Sequence, residues 1–221
     1  SGQRLKALGG FPHVGDVFTG DDLDRLKRFF RYLKMELTIR KEQLAQLGAA
    51  SLSEFRALGG KPFPALVVIL EDHAAFAKLC LDRGLELDDT LTQLVRDGAS
   101  YGLHFVFTLA SPSELKPRLA NLISLAATYR LAARDYSLAV GPSGGLEPAP
   151  FPGRGLLKET PPLEFQTALP AYGNSEAERT RALQQLMEAM SRAWTGPRPR
   201  AFAPLPAVLP LGTLVTPAST W

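Results

Sequence analysis

The 221-residue chain carries one cysteine, Cys80. No internal disulfide can form, which fits a reducing compartment. No apolar run approaches the roughly 20 residues that a membrane-spanning helix requires. The first residues, Ser1-Gly2-Gln3-Arg4-Leu5-Lys6, lead into no apolar core, so no signal peptide is expected. The chain also does not begin with Met, and a piece of a longer polypeptide is expected. A phosphate-binding loop of the form G-x-x-x-x-G-K-[ST] is missing. The nearest stretch, Gly60-Lys61-Pro62, has proline where the Mg²⁺-binding hydroxyl must stand, and it follows a predicted helix rather than a strand. His13, His73 and His104 have no metal-ligand spacing with Cys80 or with one another. There is no internal repeat and no long heptad pattern. The net charge of +3 is mildly basic. It permits a polyanionic partner without requiring one.

What is present reads as alternating helices and strands. Residues 1–16 are Gly-rich and turn-like. Thr19-Gly20-Asp21-Asp22 has capping-box spacing. Leu23, Leu26, Phe30, Leu33 and Leu37 then recur at helical intervals. Arg25, Lys27, Arg28, Arg31, Lys34, Arg40 and Lys41 fall on the other faces. Such a face can bind phosphates, although a solvated face is the commoner outcome. Ser51-Leu52-Ser53-Glu54 opens a second, short helix that Gly59-Gly60 stops. Helices are predicted over 74–83 and 88–97, a strand over 103–109, a third strand over 125–131, and a short helix over 135–140. Residues 155–157 and 163–169 read as a hairpin at a sheet edge. Asn174-Ser175 caps a last helix with Leu183, Leu186, Met190 and Trp194 on one face. The recurrent prolines from Pro197 onward read as an extended linker. The expected organisation is one domain over 1–195 and a linker over 196–221 to a following domain.

The stretch that organises the rest is Phe63-Pro64-Ala65-Leu66-Val67-Val68-Ile69-Leu70-Glu71-Asp72-His73. Its apolar, β-branched half predicts a strand buried on both faces in the centre of a parallel sheet. Two carboxylates end it, and ligands of open α/β sheets sit beyond the C-terminal strand ends. Adjacent acids there suit a metal-nucleotide site, one holding Mg²⁺ or its waters and the other polarising a water. They equally suit an acidic helix N-terminus, which the helix dipole favours. Thr108 and Ser111 end the next strand, where a hydroxyl can sense a γ-phosphate or simply cap the strand end. Gly98-Ala99-Ser100-Tyr101-Gly102 matches G-x-S-x-G, but with a helix before it and a strand after it, the reverse of a nucleophile elbow.

The order of these pieces resembles the FtsK/SpoIIIE class of motor ATPases. Residues 64–76 resemble its Walker B segment, and Tyr101-Gly102-Leu103-His104-Phe105-Val106-Phe107-Thr108-Leu109-Ala110-Ser111-Pro112 the strand that follows. More narrowly, Phe11-Pro12-His13-Val14-Gly15-Asp16-Val17, the Arg/Lys/Glu-rich helix, 51–58, Pro152-Gly153-Arg154-Gly155-Leu156 and 163–170 look like one domain of the type VII secretion ATPases EssC/EccC. Leu205-Pro206 and Leu209-Pro210-Leu211 look like the connector to a next ATPase domain. The resemblance covers nearly the whole chain.

It implies an α/β, RecA-like (P-loop NTPase) parallel sheet flanked by helices, here lacking the Walker A strand-loop-helix. It implies ATP and Mg²⁺ as cofactors, a cytoplasmic domain of a membrane-anchored protein, other ATPase domains in the same polypeptide, and a homo-oligomer such as a hexamer. The cargo would be a secreted protein or, as an alternative, DNA; a non-hydrolysing coupling module is the other alternative. On this reading Glu71 positions Mg²⁺ through water, Asp72 is the candidate base, and Thr108 with Ser111 senses the γ-phosphate. An arginine finger would come from a neighbouring protomer, with Arg118, Arg130 and Arg134 as the candidates. Two departures stand out. Glu71 occupies the usual Asp position, and one added methylene shifts a ligand by about 1 Å, a displacement that can cost about 10²-fold in rate. Ala110-Ser111 stands where many members carry Thr-Gln-Arg.

Overall fold

A computed structural model describes residues 3–17, 19–61, 63–142, 144–203 and 208. Pro62 and the proposed connector residues Leu205, Pro206, Leu209, Pro210 and Leu211 lie outside the described residues.

The Gly-rich start, expected as a loop, opens with a short helix α1, Gln3–Lys6. The long helix α2, Leu23–Gln46, is the beam on which the rest is built. At 1.5 Å per residue it is about 36 Å long. Its N-cap is Asp22, whose Oδ1 accepts from the Arg25 amide at 3.1 Å, so the Thr19 spacing is not a capping box. Ser51 does cap α3, Leu52–Ala57, and Ser175 caps α8, Glu176–Ala193. In both, the glutamate three residues on reaches back to an amide, Glu54 to Ala50 and Glu178 to Asn174, each at 2.8 Å. The two helices therefore start where the sequence predicts.

Strand β1, Leu66–Leu70, pairs in parallel with β2, Leu103–Phe107, from Leu66↔Leu103 to Leu70↔Phe107. Between them run α4, His73–Asp82, and α5, Leu87–Gly98, followed by a 3₁₀ turn over Ala99–Tyr101. One face of the strand pair meets α2, α4 and α5 in a core of Leu26, Phe30, Leu33, Leu37, Phe76 and Leu94 with their neighbours. The opposite face is open: Val67 is 59% and Ile69 57% exposed. This corrects the expectation that Leu66–Leu70 is buried on both faces in mid-sheet. Composition does predict such burial. Here all three packing helices lie on one side, and the described sheet has only two strands.

After a 3₁₀ turn over Pro112–Glu114 and α6, Pro117–Ala120, comes a second sheet. It is antiparallel, in the order β3 (Ala127–Thr128), β4 (Arg154–Leu157), β5 (Leu163–Gln166). The third predicted strand thus shrinks to two residues, and the predicted hairpin pairs with it rather than with β1 or β2. Gly155 makes that pairing possible: a Cβ there would come within 2.5 Å of the Thr128 carbonyl oxygen. Helix α7, Tyr136–Val140, covers Leu156, and the Tyr136 hydroxyl accepts from the Leu131 amide at 3.0 Å.

Two charged groups of α2 do structural work. Arg40, expected on the solvated basic face, is 1% exposed. Its guanidinium donates to Glu36, to the Tyr101 and Gly102 carbonyls and to the Pro64 carbonyl, and lies 4.6 Å from the Phe63 ring centre. It therefore pins the segments entering β1 and β2. Arg25 works with Asp16 on the tail. Arg25 Nη2 donates to Asp16 Oδ1 at 2.6 Å, and Asp16 Oδ2 accepts from the Phe202 amide at 2.7 Å. The Phe202 ring is buried between Phe29 and Tyr32. The Pro-rich segment thus begins by folding back onto α2.

Burial alone would raise the Asp16 carboxyl, but Arg25 and the Phe202 and Val17 amides outweigh it and hold it below its ordinary value. A depressed carboxylate contributes stability above its unfolded value, about 3.9, and loses it as pH falls through the lower folded value. Exchange of the Phe202 amide, corrected for its intrinsic rate, is therefore expected to accelerate as pH drops below about 4. Asp16→Asn should abolish that dependence. A Phe202 amide that responds identically to acid in both proteins would refute the clamp.

Candidate functional site

The C-terminal ends of β1 and β2 are laced together by three hydrogen bonds. The Thr108 amide donates to the Leu70 carbonyl at 3.1 Å, and the His73 amide donates to the Thr108 carbonyl at 3.1 Å. The Asp72 amide donates to Thr108 Oγ1 at 3.0 Å. Asp72 has φ 59°, left-handed backbone that Asp and Asn tolerate better than most residues. Its Oδ1 caps α4 by accepting from the Ala75 amide at 3.0 Å.

The capping alternative is therefore realised, yet it leaves chemistry free. A carboxylate has two oxygens, and Asp72 is exposed. Glu71 is half-buried, and among the described residues its carboxylate makes no hydrogen bond or ion pair. Thr108 accepts one bond, so its O–H can still donate. Ser111 caps the turn over Pro112–Glu114, its Oγ 2.9 Å from Ser113 Oγ. The structure thus joins Asp72 to Thr108 directly and sets Glu71 and Ser111 on the chain segments flanking that bond.

The arginine candidates are not part of this cluster. Arg118 faces Asp89 at 3.6 Å, and Arg134 lies 3.8 Å from Asp135; both are exposed, as is Arg130. No group of three or more His, Cys, Asp or Glu among the described residues could hold a metal ion by itself.

Behind the site, His73, Asp88, Lys116 and Cys80 come together. His73 is 1% exposed, and neither ring nitrogen has a hydrogen-bond partner. Burial pushes its pKa down, partly opposed by Asp88, so the ring is neutral at pH 7. Asp88, in the first turn of α5, holds Lys116 Nζ at 2.5 Å. Burial and the Asp88 charge push the nearby Cys80 thiol up to about 11, so it stays protonated and inert. Nothing in their spacing signals this cluster; only the packing of α4, α5 and the loop after β2 brings it together.

No protein-family model matches the chain. A curated relative, the ESX secretion system protein EccC of Thermomonospora curvata, is 29% identical over 228 residues, covering 99% of this chain and 17% of its own. The chain is similar to the type VII secretion proteins EccC and EssC. The solved T. curvata EccC ATPases 2 and 3, in complex with a signal sequence peptide, superpose with a TM-score of 0.80 at 28% identity, covering 99% of this chain and 40% of that one. EssC ATPases 2 and 3 from Geobacillus thermodenitrificans give 0.85 at 24% identity, over 97% and 40%, a likeness of fold. The fold is thereby that of these P-loop NTPase, α/β ATPase domains, and the chain spans only about a sixth of the T. curvata relative's length. No helix among the described residues is long and apolar enough to cross a membrane.

Proposed function

We propose that this chain is part of an ATP-dependent motor domain of a type VII-like secretion ATPase, acting in protein export from the cytoplasmic side of a membrane-anchored protein. The observation that carries this reading is the parallel, in-register β1–β2 pair with Glu71, Asp72 and Thr108 gathered at one end. Glu71 would hold Mg²⁺ through water, and the free oxygen of Asp72 would accept a proton from the attacking water. Thr108, with Ser111, would donate to a γ-phosphate oxygen. Mg²⁺ would neutralise charge on the phosphates. Residues 1–195 form the domain body in this reading and 196–221 the connector. The open face of Val67, Ile69 and Val106 is where a phosphate-gripping part of the same domain would pack, since parallel sheets are covered on both faces. Partners would be further ATPase domains of the polypeptide, like copies in a ring such as a hexamer, and a secreted protein bearing a signal peptide. The DNA-translocating alternative gains no support from the relatives.

A second reading, a non-hydrolysing coupling module, is favoured by the capping use of Asp72. Nucleotide affinity with and without Mg²⁺, measured on the protein with its upstream sequence present, separates the two. Mg²⁺-dependent ATP binding is expected, and unmeasurable binding would remove the motor reading.

A further inference from the structure

The loop after β2 and the first turn of α4 both border the proposed nucleotide site, and both are tied to one carboxylate. Asp88 Oδ2 takes Lys116 Nζ at 2.5 Å, and Lys116 closes the loop that carries Ser111. That loop is braced internally by the Ala110 amide donating to Glu114 Oε2 at 3.1 Å. Asp88 Oδ1 lies 3.8 Å from His73 Nε2, in the first turn of α4. The Asp88 backbone is fixed from the helix side, its carbonyl accepting from Thr92 Oγ1 at 3.0 Å. As stabilisation, an ion pair with a lysine as exposed as Lys116 contributes little. Its geometric consequence is larger, because it leaves the carboxylate aimed at a buried ring whose nitrogens have no partner.

We infer that Asp88 is a positioning residue that makes the Ser111 loop and the Asp72–His73 turn shift together; the functional meaning rests on the nucleotide-site reading above. A buried, unpaired imidazole nitrogen is costly. A movement of under about 1 Å brings Nε2 within bonding distance of Oδ1. Two arrangements therefore lie close together, one with the 3.8 Å gap and one with a His73–Asp88 hydrogen bond. A ligand that draws residues 110–116 toward the strand ends moves Lys116, Lys116 moves Asp88, and Asp88 selects between them. The Asp72 carboxylate rides on the same turn, so loop position and acid position are linked.

Amide hydrogen exchange on the chain tests this without any nucleotide, so failure of the site reading would leave the coupling result standing. Lys116→Met is expected to raise exchange at the Ala110, Asp72 and His73 amides about tenfold, with α2 amides unchanged. Asp88→Asn should do the same, the double variant should do no more than either, and Lys116→Arg should restore protection. Lys41→Met, which breaks the exposed pair with Asp97, should leave all three amides unaffected. An effect of Lys116→Met confined to residues 110–118, or a uniform rise across the whole chain, would overturn the coupling.

Discussion

Arg40→Met is expected to destabilise the fold by about 3–5 kcal/mol, the cost of removing one partner from a buried charged network. Methionine roughly replaces the arginine stem, so little cavity arises. What is lost is the fork. The Pro64, Tyr101 and Gly102 carbonyls lose a charged donor; Gly102 keeps the Leu66 amide and Pro64 is exposed, so the Tyr101 carbonyl and the emptied Arg40 position bear most of the loss. Each acceptor left without a partner costs about 1–3 kcal/mol when fully buried. Glu36 is partly exposed and recovers hydration, which keeps the total near the lower bound of a simple sum. Loss of the Phe63 contact adds about 0.5–2 kcal/mol. Arg40→Lys should rescue little, because an ammonium cannot span acceptors on three segments. Arg31→Met, on the exposed face of α2, should stay within about 0.5 kcal/mol. Urea midpoints of the three variants check this, and an Arg40→Met loss below about 1 kcal/mol would show that the carbonyls find other donors.

Arg40 also marks a limit of reading by residue type. Its charge assigns it to solvent, yet its position continues the buried series Leu26, Phe30, Leu33, Leu37 toward Leu44. Periodicity was the better guide, and the buried arginine is what a 3–4 spacing ending in a charge signals. The capping boxes at Ser51 and Ser175 were legible because they are local. The open face of Val67 and Ile69 was not. β-branched composition reports the sheet a strand is built for, and two strands with helices on one side leave half of that surface bare. The second sheet was legible as a hairpin but not in its partner, since pairing with β3 depends on contacts some 30 residues apart. At the site, the placement of the acids at a strand end followed from order alone. The left-handed turn at Asp72 and the Thr108 bond did not, because both depend on how two distant strand ends are laced.

That turn is what makes Asp72 the most informative position in the chain. Its carboxylate has a structural duty to the Ala75 amide and, in the motor reading, a chemical duty to water. Two substitutions separate them. Asp72→Asn keeps an acceptor for the cap and tolerates φ near 60°, so its stability should lie within about 0.5 kcal/mol of the parent. It removes the negative charge and the proton-accepting oxygen. If Asp72 is the base, ATP turnover by the protein with its upstream sequence should fall about 10²–10⁴-fold, with nucleotide affinity little changed. Asp72→Ala loses the cap, about 0.5–2 kcal/mol, and strains a left-handed residue by about 1–2 kcal/mol more. It should therefore lose stability and turnover together. Phosphate release paired with urea midpoints for both variants reads the result. A stable Asp72→Asn protein that turns over ATP at the parent rate would leave Asp72 as a helix cap alone. Among the described residues the strand ends would then hold Glu71 as an acid without a hydrogen bond or ion pair, a residue a methylene longer than the aspartate that the resemblance places at a Mg²⁺-ordering position. Turnover would then not depend on the Asp72 carboxylate, and the coupling reading would be favoured over a catalytic role for this turn.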